Sequence, residues 1–215
     1  MINELLHQAL PGCRPATVKA LTDSARLRTA HPGDQIYRQG EPVPLTLILR
    51  GYGAAQRLTV AGQQLVSGVA PAGVLFGYSG LASALSSVEL VALTDCQVAQ
   101  WPGPEVRTLA TADPGLALAA IDSMAECLHQ SVERFEGFLH QDARRRVLRI
   151  LARHRDLFFG EPAVLTRTHL PGLVGTSREM TTRVLRELER EGTLTRVGRS
   201  GLRLLRPDRL EAGAA

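Results

Sequence analysis

The stretch Thr166-Arg-Thr-His-Leu-Pro-Gly-Leu-Val-Gly-Thr-Ser-Arg-Glu-Met-Thr-Thr-Arg-Val-Leu185 decides the fold of the C-terminal part of this 215-residue chain. Its first half predicts a short helix that ends at Gly175, because glycine is the usual residue after a helix end. Thr176-Ser177 then starts a second helix, residues 178–191, which Gly192 stops. Two helices joined by a tight turn that contains glycine are typical of a helix-turn-helix motif.

The second helix divides into an apolar face and a polar face. The apolar residues expected to anchor it are Met180, Val184, Leu185 and Leu188. The residues expected on the opposite face are Arg178, Glu179, Thr182, Arg183 and Arg186. Residues 193–197, a turn at 198–201 and residues 202–205 follow as a hairpin, so we predict a winged helix-turn-helix.

The polar face carries the side-chain types that read DNA in the major groove. Arg178 and Arg183 have the planar fork that pairs with guanine, and Glu179 can accept from cytosine. The Thr182 methyl can contact a thymine methyl, and Ser177 can cap the helix and meet a phosphate. The alternative is a solvated charged face with pairs one turn apart, which the turn before the helix and the wing after it disfavour.

Arginines outside the base-reading positions also bear on nucleic-acid binding. Arg186 on the same face and Arg199 in the wing turn are predicted DNA contacts. The run Arg144-Arg145-Arg146 is more typical of a solvated or acid-paired face than of a phosphate site.

Charge is also segregated along the chain. Residues 1–133 hold 8 basic and 11 acidic side chains, and residues 134–215 hold 17 basic and 10 acidic side chains. A basic C-terminal third on a mildly acidic body indicates a nucleic-acid-binding module joined to another domain.

The N-terminal half reads as short strands separated by turns. A helix is predicted at residues 3–9, and turns at 31–34, 38–42, 50–53 and 60–63 separate strands between residues 27 and 101. Leu45, Leu47 and Leu49 alternate as in a half-buried strand. This pattern predicts a β-sandwich or a jelly-roll β-barrel domain over residues 1–111 rather than a parallel sheet, and with the predicted helices it gives an α+β protein.

A long helix is predicted after Asp113-Pro114, in a segment spanning residues 112–141, and the DNA-binding domain would follow at 142–215 with a helix at 142–154. Its apolar positions recur at spacings of three and four, as in a dimer seam: Ile121, Met124, Leu128, Val132, Phe135 and Leu139. The alternative, an amphipathic helix lying on its own barrel, fits the pattern equally well.

Other function classes find little support. Gly77-Tyr-Ser-Gly80 is followed by Leu81, so the nucleophile pattern G-x-S-x-G fails, and neither a phosphate-binding G-x-x-x-x-G-K-[ST] nor H-E-x-x-H occurs. We therefore expect no enzyme. A helix-turn-helix that contacts only protein stays open as an alternative. Without a long apolar run or a secretory leader, we expect no membrane insertion and a cytoplasmic location.

With these motifs the chain resembles the Crp/Fnr superfamily of bacterial transcription regulators. The resemblance rests on residues 175–185, Gly33…Ile36-Tyr37…Gly40, Phe76-Gly77, residues 94–99 and Asp113-Pro114, and it covers nearly the whole chain. It implies a cyclic-nucleotide-binding-like barrel, a long dimerisation helix, and a homodimer that reads a pseudo-palindrome in double-stranded DNA and contacts RNA polymerase. Arg178, Glu179 and Arg183 match the family's base-reading positions, which suggests a half-site near TGTGA or TTGA. Pro171-Gly172 departs from the family pattern, and we expect that helix to start late, near Thr168.

The effector pocket implied by the resemblance is the part of this sequence that departs most from the family pattern. Its residues would be Phe76, Gly77, Tyr78, Ser86, Ser87, Met124, Leu128 and Ser131. Family members that bind cyclic AMP have an acid where Tyr78 stands and an Arg-Ser pair where Ser86-Ser87 stands. A buried cyclic phosphate without a guanidinium would be poorly compensated, which disfavours cyclic AMP. Cyclic-nucleotide-responsive, haem-responsive and effector-independent regulators all stay open.

No cofactor or metal is predicted. Cys13, Cys96 and Cys127 are too few and too widely spaced for an intrachain iron–sulfur cluster, a disulfide framework or a C-x-x-C metal site. The six histidines are scattered, so that none is favoured as a haem ligand, although haem is not excluded.

Overall fold

The computed structural model describes residues 1–60, 62 and 64–214, in which the chain forms two compact units. The first consists of Met1–Arg57 and Ser67–Ser131, and the second of Leu58–Val66 and Val132–Ala215. The turn predicted at 60–63 includes Ala61 and Gln63, which lie outside the described residues.

The strands between residues 26 and 101 form two four-stranded sheets, with strand orders β1-β8-β3-β6 and β2-β7-β4-β5. The strands are β1 Arg26–Ala30, β2 Gln35–Tyr37, β3 Leu45–Arg50, β4 Gly53–Leu58, β5 Gln64–Ala70, β6 Leu75–Phe76, β7 Glu89–Ala92 and β8 Cys96–Trp101. A short 3-10 helix, Tyr78–Ala82, follows β6. β3 pairs antiparallel with both β8 and β6. The predicted N-terminal β-rich barrel domain is confirmed.

Strand β3 is buried on both faces, whereas the sequence predicted a half-buried strand. Leu45, Leu47 and Leu49 pack with residues of two N-terminal helices, α1 Ile2–Ala9 and α2 Pro15–Asp23. Ile48 points to the opposite core, between the sheets. The prediction was wrong because alternation within one strand does not reveal that a second layer covers its outer face, and α2 was not anticipated.

Trp101, the one tryptophan of the chain, connects these layers. Its side chain is 1 % exposed, and its indole Nε1–H donates to the Leu21 carbonyl at 2.8 Å. We expect Trp101→Phe to lower the free energy of unfolding by about 2–4 kcal/mol, because it leaves a cavity and an unpaired buried carbonyl. Chemical denaturation followed by far-UV circular dichroism measures this. A loss no larger than that of the exposed variant Thr108→Ala would contradict the assignment.

The long helix α4 runs over Pro114–His140, after α3 Gly103–Ala112. The Asp113 carboxylate accepts from the Gly115 and Arg14 N–H groups, at 2.9 and 2.8 Å. Hydrogen bonds, the one to Thr17 foremost, hold the pKa of Asp113 below its usual value. The carboxylate therefore caps the helix as the sequence predicted. No helix in the described part of the chain is long and apolar enough to cross a membrane.

The second unit contains the end of α4 and a set of short helices followed by a hairpin. They are α5 Ala143–Arg153, α6 Arg155–Phe159, α7 Leu170–Val174, α8 Arg178–Arg190, β9 Leu194–Val197, β10 Gly201–Leu204 and α9 Pro207–Ala214. The large apolar side chains at its centre are all less than 2 % exposed: Leu151, Phe158, Leu165, Leu170, Leu188 and Leu194. Helix α8 packs on this core, and β9 and β10 pair antiparallel beside it. The predicted winged helix-turn-helix is confirmed.

Candidate DNA-binding surface

Helix α8 begins with a side-chain cap. The Ser177 Oγ accepts from the Met180 N–H at 3.1 Å, which leaves the hydroxyl hydrogen free to donate outward. The Thr182 hydroxyl donates to the Arg178 carbonyl at 2.8 Å. The backbone thus satisfies this hydroxyl, and Thr182 is exposed.

The buried face of α8 differs from the predicted one at one position. Val184, Leu185 and Leu188 are buried as expected. Met180, however, is half-buried, and the fourth buried position is Thr181. Burial of Thr181 is tolerated because its hydroxyl donates to the Ser177 carbonyl at 3.0 Å, so that no polar atom is left unsatisfied.

The outward face of α8 carries exposed guanidinium groups around one carboxylate, Glu179. Among the described residues, Arg178 and Arg186 have no ion-pair partner. Arg183 contacts Glu187 only at 4.0 Å, and it donates to the Met180 sulfur at 3.2 Å. Surface pairs of this kind contribute less than about 1 kcal/mol, so the guanidinium groups are free to engage an external acceptor.

The wing is connected to α8 and to the segment before α7 by contacts that sequence reasoning missed. Arg196 in β9 forms an ion pair with Glu189 of α8 at 2.8 Å. Arg167 donates its backbone N–H to the Ser200 carbonyl at 3.0 Å and its guanidinium to the Arg199 carbonyl at 2.5 Å. These bonds hold the wing turn and leave the Arg199 side chain outside them. Their spacings of seven and about thirty residues give no local signal.

Helix α7 starts at Leu170, even later than the expected start near Thr168, and Pro171 occupies its first turn. An N–H group is not needed there, which explains why proline is tolerated. Before the helix, the neutral His169 ring accepts from the Thr166 N–H through Nδ1 at 3.0 Å. Burial lowers the pKa of His169 and keeps the ring in this accepting form.

Gly172 has a packing role that the sequence did not reveal. A Cβ at this position would lie 2.9 Å from the Gln64 carbonyl oxygen and 3.0 Å from a Val66 methyl group. Gln64 and Val66 belong to the same compact unit as α7. The absence of a side chain therefore allows Gln64 and Val66 to approach the helix closely.

Gly175 forms the turn between α7 and α8 in a left-handed conformation with φ +66°. A Cβ there would lie 2.5 Å from the Phe138 ring. We expect Gly175→Ala to destabilise the second unit by about 2–4 kcal/mol, because backbone strain and overlap with Phe138 add. Thermal unfolding by circular dichroism tests this. Gly198→Ala is the matched control, since Gly198 has φ +56° but nothing within 4 Å. Equal losses in the two variants would refute the role of Phe138.

The Arg144-Arg145-Arg146 run has internal partners. Arg144 pairs with Glu191 at 2.9 Å. Arg146 donates to the Gln141 carbonyl at 2.6 Å, and its guanidinium lies 5.5 Å from the centre of the Phe138 ring. These contacts favour the acid-paired, structural interpretation of the run over a phosphate site.

The expected effector residues have varied surroundings. The Ser86 hydroxyl donates to the Val88 carbonyl at 2.5 Å, and Tyr78 lies in the core that contains Trp101. The Ser131 hydroxyl donates to the Cys127 carbonyl at 2.7 Å within α4. Phe76 packs partly buried on the inter-sheet core, Ser87 is exposed at the surface, and Gly77 has φ +89°. Met124 and Leu128 are 48 % and 66 % exposed.

The cysteines are free thiols, and no cluster of three or more potential metal ligands occurs among the described residues. Burial raises the pKa of the Cys13 thiol to about 11. Burial also raises the pKa of Cys96. These two thiols are consequently protonated and weakly nucleophilic.

Two family models match the chain, and they match the two parts of the fold. Residues 27–113 match a cyclic nucleotide-binding domain, and residues 144–212 match a Crp-like helix-turn-helix domain. A cyclic-nucleotide-binding-type domain followed by a winged helix-turn-helix defines a class of DNA-binding transcription regulators. The chain belongs to the Crp/Fnr superfamily of that class. No curated protein shows significant similarity to the chain.

Solved structures share this fold. A Crp/Fnr-family transcriptional regulator from Eubacterium rectale superposes with a TM-score of 0.80 at 19% identity, over 94% of each chain. The c-di-GMP responsive global regulator CLP of Xanthomonas campestris gives a TM-score of 0.74 at 23% identity, covering 89% of this chain and 99% of CLP. FixK2 of Bradyrhizobium japonicum gives a TM-score of 0.73 at 21% identity, covering 89% of this chain and 98% of FixK2.

Proposed function

We propose that this regulator is a homodimer that binds a pseudo-palindromic operator with α8 in the major groove of each half-site. The observation that carries the proposal is the composition of the outward face of α8. Arg178, Glu179 and Arg183 are exposed there without strong internal partners, above a buried apolar face. Arg178 and Arg183 would read guanine, Glu179 would read cytosine, and the Thr182 methyl would contact thymine. A half-site near TGTGA or TTGA fits these types.

Phosphate contacts would surround the base contacts. Ser177 would donate its free hydroxyl hydrogen to a phosphate oxygen at the start of α8, where the helix dipole also favours an anion. Arg186 would contact the backbone from the same helix and Arg199 from the wing turn. Contact with RNA polymerase is proposed from family membership alone.

The dimer would form along α4. Six large apolar residues at heptad-like spacing are exposed on this helix to between 48 % and 66 %: Ile121, Met124, Leu128, Val132, Phe135 and Leu139. A row of six exposed large apolar side chains on a single chain indicates an interaction surface. Pairing of two such helices as a coiled coil would bury the whole stripe and set the spacing between the two half-sites.

Cyclic AMP is not the proposed effector. The Ser86 hydroxyl is engaged by the Val88 carbonyl, and Tyr78 occupies a core position where cyclic-AMP-binding members have an acid. A cyclic phosphate at this place would lack the charged partner that offsets its desolvation.

Salt dependence of binding tests DNA recognition. An operator is first selected from a pool of random duplexes, and its affinity for the full-length protein is then measured by fluorescence anisotropy at increasing salt. We expect the logarithm of the binding constant to fall linearly with the logarithm of salt, with a slope of about −0.9 for each phosphate contacted. Binding without salt dependence, or equal affinity for operator and scrambled duplex, would contradict the proposal.

Arg26→Ala provides the matched control for this titration. Arg26 lies in the first unit and pairs with Glu105 at 2.7 Å. Arg26→Ala removes the same positive charge as the loss of a DNA-contacting arginine. Because Arg26 lies outside the proposed DNA-binding surface, we expect the salt slope of Arg26→Ala to equal that of the wild type.

A further inference from the structure

Arg167 lies in the turn that precedes α7, between two buried leucines of the second unit. Leu165 before it is 1 % exposed, and Leu170 after it is 0 % exposed. The His169 N–H donates to the Thr166 carbonyl, and the Thr166 N–H donates to the His169 ring, each at 3.0 Å. The backbone around Arg167 is therefore fixed by the domain itself, independently of any contact with the wing.

Two consecutive carbonyl groups of the wing turn accept hydrogen bonds from Arg167. The Arg167 N–H donates to the Ser200 carbonyl at 3.0 Å, and the guanidinium donates to the Arg199 carbonyl at 2.5 Å. Residues 198–200 lie outside the β9–β10 ladder, whose pair nearest the turn is Val197 with Gly201. A residue 32 positions before Arg199 thus supplies bonds that the hairpin ladder does not.

The wing turn depends on such bonds for its order. Gly198 and Gly201 bound it, and glycine has the greatest backbone freedom of all residues. The ion pair of Arg196 with Glu189 holds strand β9 to α8, but it lies outside the turn. The two bonds from Arg167 are therefore what restrains the turn itself.

These bonds also limit the directions that the Arg199 side chain can take. The bond to the Arg199 carbonyl fixes the peptide plane that follows this residue, and the plane sets its ψ angle and the direction in which the side chain leaves the backbone. The Arg199 side chain is exposed, with no hydrogen-bond or ion-pair partner in the described part of the chain. Arg167 is half-buried, and its guanidinium is engaged. The first arginine is thus oriented for an external anion, and the second orients it.

We propose that Arg167 is a positioning residue of the wing, which orders the turn in the free protein so that Arg199 meets the DNA backbone in a fixed orientation. Order before binding removes part of the entropy cost that a flexible turn would incur in the complex. The inference rests on the proposed function and deepens it. The competing role is a direct phosphate contact by Arg167, because it lines one open groove of about 370 Å³ with Arg178 and Arg196.

A double-mutant cycle on the full-length protein distinguishes positioning from phosphate contact. Arg167→Ala, Arg199→Ala and the double variant are titrated with the selected operator by fluorescence anisotropy at increasing salt. We expect Arg167→Ala to weaken binding by about three- to tenfold and to reduce the magnitude of the salt slope by up to about 0.9 per half-site, toward the value of Arg199→Ala. In the Arg199→Ala background the same substitution should change affinity by less than about twofold.

Additive losses in the cycle would overturn the proposal. A phosphate contact made by Arg167 itself, or a general loss of folding, would persist after Arg199 is removed, whereas positioning of Arg199 would not. Wild-type affinity and salt slope in Arg167→Ala would also overturn it.

Limited proteolysis measures the order of the turn without DNA. Trypsin cleaves after arginine, and the bond after Arg199 belongs to the peptide whose carbonyl Arg167 holds. We expect Arg167→Ala to accelerate cleavage at this bond severalfold, relative to cleavage after Arg38, an exposed arginine of the first unit, because the turn opens more often. Equal relative rates in Arg167→Ala and the wild type would contradict the ordering of the turn by Arg167.

Arg155→Ala is the matched control in both experiments. Arg155 belongs to the second unit and pairs with Glu211 at 3.1 Å, so its loss removes the same charge and a comparable number of contacts. We expect this variant to show the operator affinity, salt slope and cleavage pattern of the wild type.

The two experiments together separate this inference from the proposed function. Operator binding by the wild type with unchanged cleavage in Arg167→Ala would refute the positioning role alone. Faster cleavage in Arg167→Ala with no operator binding by the wild type would refute the proposed operator recognition, and with it the role of Arg167 toward DNA.

Discussion

Arg183→Ala is expected to weaken binding to the selected operator by about 1–3 kcal/mol per half-site and to relax base preference at one position of the half-site. The reason is that the Arg183 guanidinium is held in the free protein only by a 4.0 Å contact with Glu187 and a weak bond to the Met180 sulfur. It would exchange these for two hydrogen bonds to one guanine. Arg183→Lys should recover little, because an ammonium group lacks the planar fork.

The measurement is a competition experiment with operators that carry each single-base change, in parallel for Arg183→Ala and Arg199→Ala. Arg199 lies in the wing turn, whose backbone Arg167 holds. Its removal should weaken all sequences alike and reduce the magnitude of the salt slope by about 0.9. If both variants lost affinity equally on every sequence, the assignment of base reading to Arg183 would be wrong.

Leu128→Glu is expected to convert the protein into a monomer and to lower operator affinity by about 100-fold or more. Leu128 is 66 % exposed at the middle of the apolar stripe of α4. In the proposed dimer this substitution would place two carboxylates in a buried seam and remove two buried leucines, each of which contributes about 1.5–3 kcal/mol. A monomer would engage only one half-site at a time, so the gain from a second linked contact would be lost.

Sedimentation velocity and anisotropy on the same samples test this prediction, with Gln130→Glu as the control. Gln130 is half-buried and faces away from the stripe, and its amide donates to Glu126, so that glutamate there adds the same charge outside the proposed seam. We expect the control to stay dimeric and to bind the operator. A dimeric Leu128→Glu protein with normal affinity would show that the stripe is not the dimer interface.

Helix α8 shows which structural features local sequence patterns can predict. Its cap at Ser177, its end near residue 190 and the free exposure of Arg178 and Arg183 follow from residue types and helical spacing alone, since these interactions span at most one or two turns. Hydrophobicity did not predict that Thr181, and not Met180, is the fourth buried residue of this helix face. A threonine is buried there because the Ser177 carbonyl lies within reach of its hydroxyl.

The first unit marks the limit of local reasoning. The strand pattern predicted a barrel, but not the second layer of helices over β3. The effector residues were carried over by resemblance, and only Tyr78 among them lines the open groove between residues 9–12, β6 and one face of α4. Such groupings depend on contacts between residues about 45–110 positions apart, for which hydrophobic periodicity contains no information.

Taken by itself, the amino-acid order specified a β-rich sensor-like domain, a long amphipathic helix and a winged helix-turn-helix, since each is encoded by short-range periodicity, capping and glycine turns. Tertiary packing alone decided that Arg167 holds the wing turn, that Gly172 lies against Gln64 and Val66, and that Tyr78 lines the same open groove as Asp122 and Glu126. These features depend on which surfaces meet, and that is settled only when distant segments bury their apolar faces together.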